Sequence, residues 1–89
     1  MCTYLTETLD VEGSGKGAAG WFPLTRATVY FDHPQHAPAG HTLNIDSLNP
    51  GQGASARVAV ELTAASARAL ASAIEAALAC APPGLAGPA

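Results

Sequence analysis

The sequence is short of basic residues and of long apolar runs, and each deficit excludes a class of protein. Four Lys and Arg stand against seven Asp and Glu, for a formal net charge of -3. A chain with so few, scattered cations has no basic patch for a nucleic-acid backbone or an anionic membrane surface. No apolar run approaches the roughly 20 residues that cross a bilayer. Neither nucleic acid nor membrane is therefore expected as a partner.

Cysteine is also scarce, and the two present, Cys2 and Cys80, are too few for a disulfide-rich scaffold. The N-terminal residues have neither the basic nor the apolar region of a secretory signal. A cytoplasmic protein with reduced thiols is the expectation. Cys2 would be a candidate nucleophile or metal ligand if processing exposed it as the first residue, but it is more simply a small hydrophobe in a strand. Cys80 is expected to be inert.

The length allows one domain. Residues 1–80 are expected to form a single α+β domain, and residues 81–89 (APPGLAGPA) to form a flexible tail rich in Pro and Gly. A core built from about 80 residues supplies only a few kcal/mol of net stability. Association with further copies of the chain would add to it, so a homo-oligomer, in the simplest case a dimer, is expected.

Alternating apolar and polar residues predict four antiparallel strands, each with one apolar side. The strands are predicted at residues 2–11, 25–33, 41–48 and 55–62. The first connection, residues 12–20 (EGSGKGAAG), carries four glycines and is predicted to be a loop. The other two connections, residues 34–40 and 49–54, contain proline and glycine as turns do.

The periodicity then changes to that of a helix. Thr63 is a plausible N-cap, and Leu70, Ile74 and Leu78 recur at four-residue spacing before the chain reaches Pro82. The predicted fold is α+β: a four-stranded antiparallel meander with one C-terminal helix packed on its apolar face (ββββα). The other face would be solvated, buried in a dimer or the wall of a polar pocket. Its polar residues are Tyr4, Thr6, Thr8, Thr28, Tyr30, Asp32, Thr42, Asn44, Asp46, Arg57 and Glu61.

Two further segments invite a functional interpretation and have a simpler structural one. The glycine-rich run around Lys16 resembles a phosphate-binding loop, but no Ser or Thr follows the lysine and no helix is predicted after it. A flexible connector is the simpler interpretation, and a mobile lid is the alternative. Trp21 and Phe22 are expected to anchor the core or an interface, with the lining of a ligand pocket as the alternative.

The candidate site is a group of three histidines in the central hairpin, within the segment DHPQHAPAGH. If the strands on either side of the connection pair, His33 and His41 lie opposite each other, with Cβ atoms about 5 Å apart. His36 in the loop could supply a third metal ligand, and Asp32 or Asp46 a carboxylate ligand or an orienting partner. Three imidazoles with an open position suit a divalent metal, zinc above all, with copper, nickel or iron as alternatives.

Two alternatives to a metal site remain. His33 and His41, with Asp32, could form an acid–base site, because an imidazole titrates near neutral pH without any shift. Alternatively the histidines have no special role, since His33 and His41 share the strand parity of the apolar side chains and could simply cover the edge of the core.

Two sequence blocks resemble those of a group of short, uncharacterised actinobacterial proteins. These are the starting block MCTYLTE and the middle block FDHPQHAPAGHTLNID. The resemblance extends over residues 1–80 and brings no known activity or site residue. It implies a stand-alone bacterial protein, with a place in specialised metabolism as an expectation.

Two functional hypotheses follow from the sequence. The first is a small oligomeric enzyme or metal-binding accessory protein that acts on a small molecule through His33, His36 and His41. The second is a non-catalytic oligomeric module for binding or assembly, in which the histidines are incidental. Measuring the metal content of the purified protein would distinguish the two hypotheses.

Overall fold

The computed structural model describes residues 5–87, which form one antiparallel sheet followed by one α-helix. Each strand pairs with its neighbour in sequence, so the sheet is a meander. A short 3-10 helix, Pro50–Gln52, lies between the third and fourth strands. The elements are β1 Thr6–Gly17, β2 Gly20–Asp32, β3 Thr42–Leu48, β4 Arg57–Leu62 and α1 Ala64–Ala79. The predicted ββββα arrangement is confirmed.

The strand register separates apolar from polar side chains. Val29 is opposite Ile45, and Ile45 is opposite Val60, so these three side chains share a face. By the same register the apolar side chains of this face are Leu9, Ala27, Val29, Phe31, Leu43, Ile45, Val58, Val60 and Leu62, with Glu7 and Ser47 as its polar members. The polar face includes Thr28, Tyr30, Asp32, Thr42, Asn44, Asp46, Arg57 and Glu61. The predicted division of faces holds for these strands; Cys2 and Tyr4 lie outside the described residues.

The prediction of a loop over residues 12–20 is wrong. β1 continues to Gly17 and pairs with β2 from Gly20 onward, which leaves two alanines as the turn. Gly20 has a φ of +112°, a conformation that favours glycine, at the point where the chain re-enters the sheet. Lys16 is accordingly paired within the hairpin, opposite Trp21, and is not at the tip of a loop.

The glycines of β1 serve close packing across the hairpin. A Cβ on Gly15 would lie 3.1 Å from the side chain of Leu24, and one on Gly17 would lie 3.1 Å from the ring of Phe22. Side chains of β2 therefore lie against a bare stretch of β1, which is one reason for glycine inside a strand. Phe22 is half-buried there, whereas Trp21 is exposed.

The most buried side chains of the described chain are largely polar. Thr42 is fully buried and Asn44 is 5% exposed, whereas the buried apolar side chains are only those of Ala27 and Ala56. The Thr42 hydroxyl donates a hydrogen bond to Oδ1 of Asn44, at a distance of 2.6 Å. Asn49, also buried, donates to the carbonyl oxygen of Pro23 and accepts from the amide of Gly51, each over 3.0 Å. The sheet is thus held from its polar side by hydrogen bonds.

Helix α1 begins as predicted and covers less of the apolar face than expected. The hydroxyl of Thr63 accepts from the amide of Ser66, which makes it the N-cap. The first turns of α1 lie beside Phe31 and Leu43. No residue of the helix is buried, and its apolar stripe, Leu70, Ile74 and Leu78, is exposed.

Candidate functional site

The hairpin of β2 and β3 brings two of the three histidines together. The last pair of its ladder is Asp32 with Thr42, so His33 and His41 are the next residues in line. Their ring centroids are 4.3 Å apart, with the ring planes tilted by 39°. The ring of His41 also stacks on Phe31, at 5.6 Å and an interplanar angle of 14°. His41 therefore lies between a phenyl ring and a second imidazole, at the end of the apolar face.

Asp32 orients His33. Its Oδ1 accepts from the backbone amide of His33 at 2.7 Å and lies 3.2 Å from Nδ1 of the same residue. The backbone hydrogen bond, and then the side-chain one, lower the pKa of Asp32. An ionised carboxylate at this position favours the tautomer with the proton on Nδ1, which leaves Nε2 as the basic nitrogen. Both side chains are largely exposed, 52% for Asp32 and 70% for His33, so solvent weakens the interaction.

His36 does not complete a three-histidine site. Among residues 5–87 there is no group of three or more His, Cys, Asp or Glu side chains placed to hold a metal ion. The reason lies in the loop: its backbone is fastened on the polar face, whereas His33 and His41 continue the parity of the apolar face. Metal binding remains a prediction.

Glu61 fastens this loop. Its Oε2 accepts from the amide of Gln35 at 2.6 Å, and its Oε1 accepts from the amides of His36 and Ala37 at 3.0 and 2.8 Å. Three donors on one carboxylate, the amide of Gln35 contributing most, lower the pKa of Glu61. The sequence analysis placed Glu61 on the polar face and gave it no such role, since the contact spans more than 20 residues of chain.

A second polar group on the same face joins three strands. The hydroxyl of Tyr30 donates to Oδ2 of Asp46 at 3.2 Å, and the guanidinium of Arg57 donates to Oδ1 of Asp46 at 2.7 Å. Burial, followed by the charge of Asp46, raises the pKa of Tyr30. Both oxygens of Asp46 are therefore engaged, one by a neutral donor and one by a cation.

The fastened loop and the polar face enclose a cleft of about 610 Å³. This is within the range of small-molecule sites, which hold roughly 300–1,000 Å³. The polar cleft, as it is called below, is lined by Tyr30, Asp32, His33, Gln35, His36, Ala37, Asn44, Asp46, Arg57, Ala59, Val60 and Glu61. Six of the residues that the sequence analysis placed on the polar face line it: Tyr30, Asp32, Asn44, Asp46, Arg57 and Glu61.

Other predicted candidates lie elsewhere. Trp21 and Phe22 do not line the polar cleft, and Lys16 is absent from it as well. Cys80 caps the C-terminal end of α1 and is an exposed free thiol. Cys2 falls outside the described residues. No helix among residues 5–87 is long and apolar enough to span a membrane.

Comparison with known proteins gives one assignment. Neither the curated proteins nor the solved structures contain a significant match to this chain. A model of a family of unknown function, DUF6295, matches residues 1–87. Because this match spans nearly the whole sequence, the chain belongs to the DUF6295 family.

Proposed function

We propose that the protein binds a small polar molecule in the polar cleft, and that this molecule carries a cationic amine. The observation that carries the proposal is the cleft itself, which is closed on one side by the loop that Glu61 holds and is lined by ionisable groups from β2, β3, β4 and the loop. A concave site with a few convergent polar groups is the usual form of a small-molecule site.

The charge of the lining favours a cation. Three carboxylates, those of Asp32, Asp46 and Glu61, face a single guanidinium, that of Arg57. A cleft lined mainly by one sign of charge raises the local concentration of ligands of the opposite sign. The hydroxyl of Tyr30 and the imidazole of His36 add hydrogen-bonding groups for the rest of the molecule.

Proton transfer is the enzymatic form of this proposal. Asp32 beside Nδ1 of His33 is the arrangement in which a carboxylate orients an imidazole as a general base. His33 is among the residues that line the polar cleft. In the non-catalytic form the same groups only recognise the ligand.

Binding is tested with matched pairs of small amines and carboxylates built on the same skeletons, added to the ¹⁵N-labelled protein. We expect saturable shifts from the amines at Tyr30, Asn44 and the loop amides, and none from the carboxylates. Tyr30→Phe should weaken amine binding about fivefold, the value of one hydrogen bond. Ser72→Ala, which removes a hydroxyl on α1 away from the cleft, should leave it unchanged. Shifts confined to the apolar face, or no saturable shift, would contradict the proposal.

One observation supports a second candidate, a divalent-metal site on His33 and His41. Imidazole rings 4.3 Å apart can turn a nitrogen each toward one ion, at metal–nitrogen distances of about 2.0–2.1 Å. Asp32 would orient the His33 ligand through the contact with its Nδ1, as carboxylates do for metal-bound histidines. Zinc is the first choice, with copper, nickel or iron after it; water or a ligand would complete the coordination.

The metal candidate predicts a simple ranking of variants. Untagged protein should bind zinc stoichiometrically by mass spectrometry of metal content and by calorimetry. His33→Ala and His41→Ala should each weaken binding at least about tenfold. His36→Ala is the matched control and should have little effect. Equal loss in all three variants would favour the three-histidine site predicted from the sequence, and no metal under any loading condition would exclude both.

The setting of this function is proposed on the sequence alone. The blocks MCTYLTE and FDHPQHAPAGHTLNID resemble those of short actinobacterial proteins, which supports a stand-alone bacterial protein with a place in specialised metabolism. The cytoplasm is proposed as its location, because two cysteines are too few for the disulfide framework of a small secreted domain.

A further inference from the structure

The apolar side of the sheet and the apolar stripe of α1 both lack a cover. Val60 on the sheet is 37% exposed, and Leu70, Ile74 and Leu78 on the helix are 43%, 52% and 55% exposed. Only the beginning of α1 lies against the sheet, beside Phe31 and Leu43. The ten residues from Leu70 to the end of α1 extend about 15 Å, at 1.5 Å per residue, and carry the exposed apolar stripe.

We infer that two copies of the chain form a dimer in which α1 of each copy packs on the apolar face of the other. This inference does not rest on the proposed function, because the polar cleft is lined mainly from the polar face of the sheet. The two surfaces belong to the same chain, so a twofold axis satisfies both at once, as in isologous dimers.

The chain exposes more area than a compact monomer does, and the excess is enough for a stable dimer interface. The chain exposes 6547 Å², whereas a compact monomer of its mass exposes about 4,800 Å². The excess of about 1,700 Å², to which the exposed ends of β1 and β2 and residues 82–87 also contribute, is larger than the roughly 800 Å² that each partner contributes to an interface of standard size. The radius of gyration is 14.7 Å, against about 12 Å for a compact chain of this length, so the chain is less compact than a globular monomer.

The composition of α1 fits a sheet as its partner. Ala67, Ala71 and Ala77 flank the stripe, and small residues allow the helix to approach a flat apolar surface closely. Its two charged residues, Arg68 and Glu75, are off the line of the stripe, since neither falls at its four-residue spacing. A charged protein or membrane surface would find little to bind here, whereas the apolar face of a second copy presents mainly aliphatic and aromatic side chains, with Ser47 among them and Glu7 at the β1 edge.

The untagged full chain tests the inference by sedimentation and light scattering. We expect a mass twice that of the 8.9 kDa chain at micromolar concentration. Ile74→Glu places a charge in the contact and should raise the dimer dissociation constant at least about 100-fold. Ser72→Glu adds the same charge two positions away, on the opposite side of α1, and should leave the constant unchanged.

A second measurement, of contacts between chains, tests the inference even if the Ile74→Glu variant fails to fold. In a mixture of isotope-labelled and unlabelled wild-type chains, filtered nuclear Overhauser spectra should connect the Ile74 methyl groups of one chain to Ile45 or Val60 of the other. A monomer overturns the inference, whether its helix is exposed or folded onto its own sheet. A dimer without these contacts, or one that Ile74→Glu does not weaken, overturns it as well.

Discussion

Glu61→Gln is expected to release the loop that closes the polar cleft. Glutamine has the shape of glutamate but only one carbonyl oxygen, so it cannot accept from the amides of Gln35, His36 and Ala37 together. The NH2 group of its side chain would also face one of the three backbone N–H groups, and two donors cannot form a hydrogen bond with each other. Hydrogen exchange at the three loop amides should accelerate by on the order of tenfold or more. Amine binding in the cleft should be lost with the ordered loop.

The pH dependence of the wild type should report the same contact. The pKa of Glu61 is lowered in the folded protein, so its carboxylate stabilises the loop fully at pH values above the ordinary pKa of a carboxyl group. This stabilisation is lost as the pH falls through the lowered pKa. Protection of the loop amides should follow that titration in the wild type and be insensitive to it in Glu61→Gln.

Glu75→Gln is the matched control for this experiment. It removes the same charge from an exposed position on α1, far along the chain from the loop, and should change neither loop exchange nor its pH profile. If Glu61→Gln left the exchange of the loop amides at the wild-type rate, the loop would be held by something other than the carboxylate, and the account of the cleft would be wrong.

Thr42→Val is expected to lower the free energy of unfolding by about 1–3 kcal/mol, the cost of leaving a buried hydrogen-bonding group without its partner. Thr42 is fully buried, and its hydroxyl donates to Oδ1 of Asn44 at 2.6 Å. Valine has nearly the same shape, so the packing is preserved while the acceptor loses its donor. Urea denaturation followed by circular dichroism measures the change.

Two comparisons isolate the hydrogen bond in this experiment. Thr42→Ser keeps the donor and loses a methyl group, so it should cost less than Thr42→Val if the hydroxyl matters more than the packing. In the background of Asn44→Leu, which removes the acceptor, Thr42→Val should cost little. An equal cost of Thr42→Val in both backgrounds would mean that the bond contributes nothing to stability.

The sequence predicted those elements whose signals are local. Strict alternation in β3 and β4 fixed which side chains face which way, and Thr63 marked the start of α1, because both depend on neighbouring residues only. The proximity of His33 and His41 also followed from parity and from the hairpin, whose register the apolar alternation specifies.

The features that the sequence did not predict depend on distant contacts. Glycine between residues 12 and 20 was interpreted as a loop, since nothing nearby shows that Leu24 and Phe22 pack over Gly15 and Gly17. The role of Glu61 was missed for the same reason, as no local pattern links a carboxylate in β4 to amides in the connection of β2 and β3. The position of His36 depends on that link, so the sequence alone did not show that the loop carrying this imidazole is held on the polar face.

The order of the strands has a consequence for how the protein is made. Each strand pairs with the one before it, so β1, β2 and β3 can assemble in turn as they leave the ribosome. The carboxylate that fastens the loop belongs to β4, more than 20 residues after the amides that it binds. A nascent chain that ends before β4 therefore lacks the carboxylate that holds the loop, and the polar cleft is complete only when the last strand is in place.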